Sequence, residues 1–419
     1  MLGLIEVGRR LYLDKVNHIN VYPLDEKIEL LMIGEHYSRY TRNFSYLVAE
    51  YYALMPERRG LNLLKKTLNL KLEQESLRRI GAAVAQPYLQ ILRNKIENEK
   101  EILQFAVNEP NFIELKMQEI DASPDRDAIL LKALKEAVEG IERKRTESDL
   151  IVTYVEADGT GVSGLPKELS DKGKNGEPAN TFEVKIGVMF NQPFDPKGLP
   201  LLENSQIFRD PDSTQYMGTD EKVAQFTAQL DTFTKMHGID SANQVVFLSD
   251  GALWLEKLRM KLFPNSIGII DLFHARQHLY SLVDSLYSDC KDGQIPFYMK
   301  CRHFLDLGEI DQIGNLISQK ITRSNKKDIE KQLNYFTENR NKMRYGLFRA
   351  AGLFIGSGVV EAACKVIAEI RLNGPGMRWS KKNAANIIAL RSAIYSENCD
   401  SYTGFEFGFN SGNCDSATA

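Results

Sequence analysis

Apolar residues in the middle of the chain fall into three runs with different spacings. Residues 245–248 form a continuous apolar run closed by Asp250, and a second such run, 267–270, is closed by Asp271. Between them, over 254–263, apolar residues recur at helical spacing. The pattern predicts a strand, a helix and a strand, with an aspartate after each strand. Because ligands of open α/β sheets gather beyond the carboxyl ends of the strands, both aspartates become candidate functional residues.

Two longer strands are predicted upstream, where the apolar period becomes two. Residues 149–158 form the first and end at Asp158, and residues 182–190 form the second. A long glycine-rich polar loop joins them, and short stretches between 206 and 217 can supply a third strand. A helix is predicted for 221–236. The order of three strands, helix, strand, helix and strand predicts a mixed sheet with helices on its faces, whose first part spans 148–295.

The region before the sheet, residues 1–147, has apolar positions three and four apart and is predicted to be an all-helical N-terminal domain. Residues 58–85 predict a short helix, a turn and a second helix that carries Arg78 and Arg79. This is the shape of a helix-turn-helix, whose second helix can enter a major groove of DNA. The alternative is an amphipathic helix pair with a solvated basic face, and the segment alone favours that alternative.

Residues 296–355 predict a helical, basic insertion. Between positions 320 and 350, basic residues outnumber acidic ones by nine to three, and the basic ones are Lys320, Arg323, Lys326, Lys327, Lys331, Arg340, Lys342, Arg344 and Arg349. A charge run of this kind is usually a solvated helix face. Its position between two candidate active-site segments favours contacts with phosphates, for example through Lys326 and Lys327.

A late helix, predicted to begin after Gly358, has Glu361 in its first turn. A glutamate there suits the helix dipole and needs no other role. Its neighbours are small and apolar, so the helix is expected to pack inward and bury the carboxylate, which is costly unless a cation binds it. Residues 356–400 are the predicted last part of the core. Residues 401–419 are rich in Gly, Ser and Asn and predict a disordered tail.

Composition limits the class of protein. The chain has 419 residues, of which 43% are hydrophobic and 26% charged, as in ordinary globular proteins of two or three domains. No apolar run approaches the length of a membrane span, and no signal peptide is recognisable. The five cysteines show no CxxC spacing, which suits a reducing cytoplasm. With a net charge of −3, nucleic-acid binding must depend on local basic patches.

Three acids stand at selected positions: Asp158, Asp250 and Glu361. Magnesium prefers hard oxygen ligands and keeps several waters, so convergent carboxylates without His or Cys are typical of its sites. Two such ions, about 4 Å apart, can activate an attacking oxygen and stabilise the leaving oxygen of a phosphodiester displacement. The predicted topology is that of the ribonuclease H fold, which uses this chemistry. Glu156 and Glu183 are alternative acids near the sheet end, and Glu156, which shares a strand face with Asp158, is a possible fourth carboxylate.

The chain resembles a known family, the DDE transposases of bacterial insertion sequences, specifically the ISKra-type group of the Mutator-like superfamily. The resemblance covers about the last two thirds of the chain, and YPLDE (Tyr22 to Glu26) extends it forward. It rests on segments in the family's order, ADGTGV (Ala157 to Val162), EVKIGVMF (Glu183 to Phe190), SDGALWL (Ser249 to Leu255), DLFHARQHL (Asp271 to Leu279), GSGVVEAACK (Gly356 to Lys365) and RLNGPGMRWS (Arg371 to Ser380).

This resemblance implies a catalytic triad of Asp158, Asp250 and Glu361, with Asp271 and His274 as an accessory Asp-x-x-His motif. It implies two Mg²⁺ ions, replaceable by Mn²⁺, and cleavage and joining of DNA at terminal inverted repeats and target DNA. The expected assembly is a homo-oligomer on DNA, in the cytoplasm, without a membrane partner.

Several alternatives remain open. Residues 1–21 lack the cysteine pair that relatives often have, so a catalytically dead or domesticated DNA-binding protein is the alternative function. A zinc hydrolase using Asp271, His274 and His278 is another, although HARQH lacks the glutamate of HExxH. Candidate DNA contacts near the C-terminus are Arg371, Arg378 and Trp379. The tryptophan can stack on an unpaired base or serve as a hydrophobic anchor for the last helix.

Overall fold

The structure is a computed structural model, and it describes residues 12–14, 19–21, 30–33, 36–68, 72–98, 112–169, 180–288, 291–321 and 326–396. The tail predicted to be disordered, 401–419, lies outside the described residues.

Short strands precede the first helix. Strand β1 (Tyr12–Asp14) pairs antiparallel with β2 (Ile19–Val21), and β3 (Leu30–Ile33) pairs with β4 (His36–Thr41). The prediction of an all-helical N-terminal domain is therefore wrong for this part of the chain. Segments of three to six residues are too short for a stable helix. When two such segments pair as strands, the backbone N–H and C=O groups of one bond those of the other.

Helices follow from residue 42. They are α1 (Arg42–Leu54), α2 (Glu57–Leu68), α3 (Gln74–Asn98), α4 (Phe112–Ala122) and α5 (Arg126–Glu139). The two helices predicted within 58–85 are α2 and α3, and α3 packs against α1. The residues that join them, 69–71, lie outside the described residues, so DNA recognition by this helix pair stays a prediction.

A five-stranded mixed sheet forms the centre of the described residues. Its strands are β6 (Leu150–Ser163), β7 (Thr181–Phe194), β10 (Asp210–Thr219), β11 (Gln244–Ser249) and β12 (Ile267–Ile270). The order is β10-β7-β6-β11-β12, with β10, β7 and β6 antiparallel and β6, β11 and β12 parallel. The predicted mixed sheet is confirmed. A separate small sheet contains β5 (Ile141–Glu142), β8 (Leu201–Glu203) and β9 (Gln206–Ile207).

Strand β6 continues past its predicted end. Its pairing with β7 extends over its whole length, whereas its pairing with β11 stops at Glu156. Asp158 therefore lies within the strand, just beyond the last residue paired with β11, and not at a strand end. Gly159 is a turn signal in the sequence, yet it pairs opposite Lys185, because the antiparallel ladder overrides the local preference of glycine.

Helices α6 (Val223–Met236), α7 (Leu253–Leu262) and α8 (Leu272–Leu286) alternate with the later strands. The segment 296–355 is helical as predicted, with α9 (Gln294–Leu307), α10 (Ile310–Ser318), α11 (Lys326–Asn339) and α12 (Tyr345–Ala350). Helix α13 (Gly358–Ala363) continues through a π-helical segment, Cys364–Glu369, into α14 (Ile370–Leu372), and α15 (Lys381–Tyr395) follows.

The core lies between the sheet and these helices. All six residues of β11 are buried, as expected for a strand with parallel neighbours on both sides. Helix α15 packs on β10 and also on α1 and α3, so the N-terminal helices and the sheet share one hydrophobic core.

Gly218 on β10 lies in close contact with α15. A Cβ there would lie 2.5 Å from Cγ2 of Ile388 and 2.8 Å from Cδ1 of Ile186. We expect Gly218→Ala to lower the free energy of unfolding by about 1–3 kcal/mol in urea denaturation, because an overpacked core must shift. Gly314→Ala is the control: it lies in α10 with nothing within 4 Å of its Cβ, and it should stabilise by about 0.5–1 kcal/mol. Equal effects of both variants would contradict this account of the packing.

Candidate active site

A cavity of about 300 Å³ opens where β11 ends beside β6. Leu248 pairs with Glu156, so the chain leaving β11 brings Asp250 level with Asp158 on the neighbouring strand. Helix α13 contributes Glu361 from the other side. The residues that line the cavity are Ala157, Asp158, Asp250, Asp271, Phe273, His274, Gln277, Ser357, Val360 and Glu361. The structure thus brings together all three acids of the predicted triad and both accessory residues.

Backbone donors orient the first two acids. The Gly159 N–H donates to Asp158 Oδ1 at 2.6 Å, and the Ala252 N–H donates to Asp250 Oδ1 at 2.7 Å. Gly251, with φ 88°, makes the turn between Asp250 and α7 in a region of backbone conformation that favours glycine. Burial raises the pKa of Asp158, the hydrogen bond from Gly159 opposes this, and the charges of Asp250 and Glu361 raise the pKa further. The carboxylates repel one another, and a cation between them would relieve that repulsion.

Asp271 joins three segments. It is 2% exposed, and its Oδ1 caps α8 by accepting from the His274 N–H at 2.6 Å. Its Oδ2 accepts from the Ser357 N–H, also at 2.6 Å, just before α13. Its own N–H donates to the Ser249 carbonyl oxygen at 2.8 Å. Both carboxylate oxygens therefore accept hydrogen bonds from backbone N–H groups. Through these bonds Asp271 fixes the relative positions of β11, α8 and α13 around the cavity.

Glu156 lies beneath the cavity and is fully buried. Its Oε2 accepts from the Val360 N–H at 2.8 Å, while its Oε1 has no hydrogen-bond partner among the described residues. Burial raises the pKa of Glu156 to about 8; the Val360 hydrogen bond and the charge of Arg209 oppose the shift, and Asp271 adds to it. By its contacts, Glu156 positions the first turn of α13 and hence the residue after Val360, which is Glu361.

Glu361 itself is exposed, so the expectation that α13 would bury it is wrong. Val360 and Ala363 are the buried residues of this helix. Each residue turns a helix by about 100°, so Val360 and Ala363 lie on the side of α13 that packs against the protein. Glu361 lies on the other side and lines the cavity. The π-helical segment that follows, Cys364–Glu369, is of a kind that is frequent at functional sites. In that segment Glu369 accepts from the Thr160 hydroxyl at 2.7 Å and ties the helix to β6.

The zinc alternative gains no support from this geometry. The rings of His274 and His278 are 4.9 Å apart, and His278 stacks on Tyr335 at 4.2 Å. In the described part of the chain, no three His, Cys, Asp or Glu side chains converge closely enough to hold a metal ion as they stand. Catalytic zinc needs three protein ligands at about 2 Å. Both oxygens of Asp271 already accept hydrogen bonds from backbone N–H groups, so this geometry does not present Asp271 as a zinc ligand.

Magnesium makes a smaller demand, because it binds through one or two carboxylates and keeps several waters. The cavity offers hard oxygens from Asp158, Asp250 and Glu361, with room for water between them. Burial raises the pKa of Asp158, and the charges of Asp250 and Glu361 add to this, so a bound cation would favour its ionised form. The oxygen donors present are of the chemical type that this ion prefers.

The predicted DNA contacts divide into exposed and buried residues. Arg79 and Arg378 are exposed, and so is Lys327 in the insertion. The side chain of Lys326 lies outside the described part of the structure. Arg78 forms a paired contact with Glu57, with Nε and Nη2 at 3.0 and 2.8 Å from the carboxylate.

Arg371 and Trp379 are buried, at 2% and 8% exposure, so the prediction that they contact DNA directly is wrong. The Arg371 guanidinium lies 4.9 Å from the centre of the Trp379 ring and donates to the Tyr52 carbonyl oxygen at 3.0 Å. The indole N–H donates to the Leu372 carbonyl oxygen at 2.9 Å. The alternative interpretation of Trp379, an anchor ahead of the last helix, fits these contacts.

Comparison with known proteins finds no matching family model and no matching curated protein. None of the described helices has the length and apolar character needed to cross a bilayer. The fold and the site define a mixed α/β protein with an acidic cavity at the carboxyl end of a parallel strand pair.

The role of Glu156 can be tested in metal-free buffer by urea denaturation. A carboxyl with a raised folded pKa binds its proton more tightly when folded, so wild-type stability should fall as pH rises from 4.5 to about 8. Glu156→Gln, which cannot ionise but keeps an acceptor for Val360, should remove that fall and be the more stable protein at pH 8. Glu156→Ala should be less stable than Glu156→Gln by about 1–3 kcal/mol, because a buried N–H loses its acceptor. An unchanged pH dependence in Glu156→Gln would contradict a buried, protonated Glu156.

Proposed function

We propose that this protein is a DDE-type DNA transposase that cleaves and joins DNA at the ends of an insertion sequence. The observation that supports it best is the convergence of Asp158, Asp250 and Glu361 in one cavity, from a strand, a strand end and a helix. These acids are 92 and 111 positions apart in sequence, yet they line one cavity. The sequence resemblance assigns the same three residues to the catalytic triad. A ribonuclease H-like core is part of the proposal, and the mixed sheet is compatible with it.

In this proposal Asp158, Asp250 and Glu361 hold two Mg²⁺ ions. Bound there, the ions supply Lewis-acid activation of an attacking oxygen and stabilisation of the leaving oxygen of a phosphodiester. The chain provides the orientation. Backbone N–H groups fix one oxygen each of Asp158 and Asp250, and the bond from Val360 to Glu156 sets the first turn of α13. Asp271 acts as a positioning residue, because its oxygens hold α8 and the start of α13 against the strand ends.

DNA is the proposed partner, as terminal inverted repeats and as target. In this scheme the exposed Arg79 on α3 contacts the repeat, and the basic helical insertion with Lys327 contacts flanking phosphates. Because two ends of an element must be cut together, the working form would be a homo-oligomer on DNA. Mn²⁺ would replace Mg²⁺ in the assay.

The reaction can be tested by nicking of a labelled duplex that carries the terminal repeat of the host element. With Mg²⁺ or Mn²⁺, wild type should nick at the repeat boundary. Asp250→Ala and Glu361→Ala should reduce nicking by about a hundredfold or more while binding the duplex normally, because each loses a carboxylate that would hold the metal ions needed for the reaction.

Glu183→Gln is the matched control for this assay. Glu183 is an acid of β7 that lies outside the cavity, 59% exposed and 2.6 Å from Lys185. This variant should nick like wild type. Repeat binding without nicking in every protein, wild type included, would instead favour the alternative of a catalytically dead or domesticated DNA-binding protein.

Metal binding can be measured without any DNA, by thermal unfolding in a Mn²⁺ titration. Mn²⁺ at about 100 times its dissociation constant should stabilise wild type by about 2.7 kcal/mol. Asp158→Asn should abolish most of this stabilisation, yet without metal it should be at least as stable as wild type, because it removes a charge that Asp250 and Glu361 repel. Glu183→Gln should keep the full effect. An equal Mn²⁺ response in all three proteins would exclude the cavity as the metal site.

A further inference from the structure

A second, larger cavity lies away from the acidic one. It has a volume of about 750 Å³ and lies between the turn that joins α1 to α2 and the segment 375–380 that leads into α15. We call it the arginine groove. Side chains of both parts of the molecule line it, among them Arg58, Arg78, Arg371, Arg378 and Trp379. The N-terminal helices and the sheet region therefore build it jointly.

Charge is the main property of this groove. Among the described residues that line it are four arginines and one carboxylate, Glu57. Arg78 neutralises that carboxylate through the contacts of Nε and Nη2. Arg58 and Arg378 are exposed, one on each side of the groove. The surplus of positive charge is thus available to an anion from solvent.

Arg371 adds positive charge from below. It is 2% exposed, and its guanidinium donates through Nε and Nη2 to the Tyr52 carbonyl oxygen at 3.2 and 3.0 Å. Its Nη1 has no hydrogen-bond partner, and no carboxylate forms an ion pair with it, in the described part of the chain. Burial lowers its pKa, and the charge of Glu57 partly opposes this shift. A buried cation without an ion pair is weakly screened and raises the potential of the groove above it.

The groove is linked to the acidic cavity by strand β6. The Trp379 N–H donates to the Ser163 carbonyl oxygen, and the Leu165 N–H donates to the Trp379 carbonyl oxygen, both at 2.9 Å. Ser163 is the last residue of β6, five residues after Asp158. At 3.4 Å per residue this spans about 17 Å. A duplex that runs along β6 rises 3.4 Å per nucleotide of one strand and would cover the distance from Asp158 to Ser163 in about five nucleotides.

We propose that the arginine groove binds the phosphodiester backbone of a DNA strand about five nucleotides from the bond that is cut. This inference rests on the proposed function for its choice of ligand. Arg58 and Arg378 contact phosphates as point charges and carry no sequence preference. The groove thereby guides a strand between the N-terminal helices and the acidic cavity.

The test uses the full chain and a fluorescein-labelled duplex of mixed sequence, with binding measured by anisotropy over a range of salt concentrations. The logarithm of the binding constant falls as the logarithm of the salt concentration rises, and each phosphate contact that is lost makes this negative slope shallower by about one. Arg58→Gln combined with Arg378→Gln should therefore make the slope shallower by about two and weaken binding at every salt concentration. Both side chains are exposed, so the variant should fold as wild type does.

A charge-matched control is Lys132→Gln combined with Lys135→Gln. These lysines of α5 are 75% and 76% exposed, pair with glutamates one turn away and lie outside the groove. This variant should keep the wild-type slope. If the groove variant keeps it too, or if both variants lose the same amount, the groove does not bind the backbone.

These outcomes separate the groove from the proposed reaction. A reduced slope in the groove variant, with no nicking by wild type, leaves the groove established and the cleavage proposal refuted. Nicking by wild type, together with an unchanged slope in the groove variant, would support the cleavage proposal and refute the groove. Where wild type nicks, replacing single phosphates by neutral methylphosphonates should weaken binding most at about five nucleotides from the cut, and only when Arg58 and Arg378 are present. A uniform profile would overturn the assigned position.

Discussion

The unequal pairing of β6 is the constraint on which the rest of the structure depends. One side of this strand is paired with β7 over its full length, while the other side pairs with β11 only as far as Glu156. Beyond that point β6 needs other partners, since unpaired backbone groups are costly when buried. The backbone of Trp379 bonds that of Ser163 and Leu165, and the Asn373 side chain accepts from the Ser163 N–H and donates to the Gly161 carbonyl oxygen. The acidic cavity lies where β11 leaves β6, and the arginine groove lies where the replacement pairing ends.

The electrostatics of the two sites are opposite and complementary. In the acidic cavity, burial and mutual repulsion raise the pKa of Asp158, while backbone N–H groups keep the carboxylates oriented. In the groove, a buried guanidinium without an ion pair among the described residues lies beneath two exposed ones. A ligand that carries negative charge and accepts cations along its length would satisfy both sites at once. Under the proposed function a DNA strand with Mg²⁺ is such a ligand.

Local sequence was sufficient for the strands β11 and β12 and for the acids that follow them, because continuous apolar runs closed by aspartate are strong local signals. It was insufficient wherever a contact joins distant segments. The bond from Val360 to Glu156 spans 204 positions, and the contact of Arg371 with Tyr52 spans 319. Because of these contacts, Glu156 supports a helix and Arg371 is buried. From the side chain types alone, Glu156 was a possible fourth metal ligand and Arg371 a candidate DNA contact. For Trp379, the apolar ring just before a helix start indicated a hydrophobic anchor as much as it indicated stacking on a base.

The attachment of the N-terminal helices to the core bears on how recognition and chemistry are connected. The carbonyl oxygens of Tyr52 and Ala53, in the last turn of α1, accept from Arg371 and from Arg391 Nη1 at 3.0 Å each. Cations at the C-terminal end of a helix are favoured by its dipole, and both arginines are buried. Helices α1 and α3 also pack on α15. Since α3 carries the exposed Arg79, the distance between that residue and the acidic cavity is set by packed core and not by a linker. If α3 reads a DNA repeat, the spacing between the repeat and the cut is therefore a property of the fold.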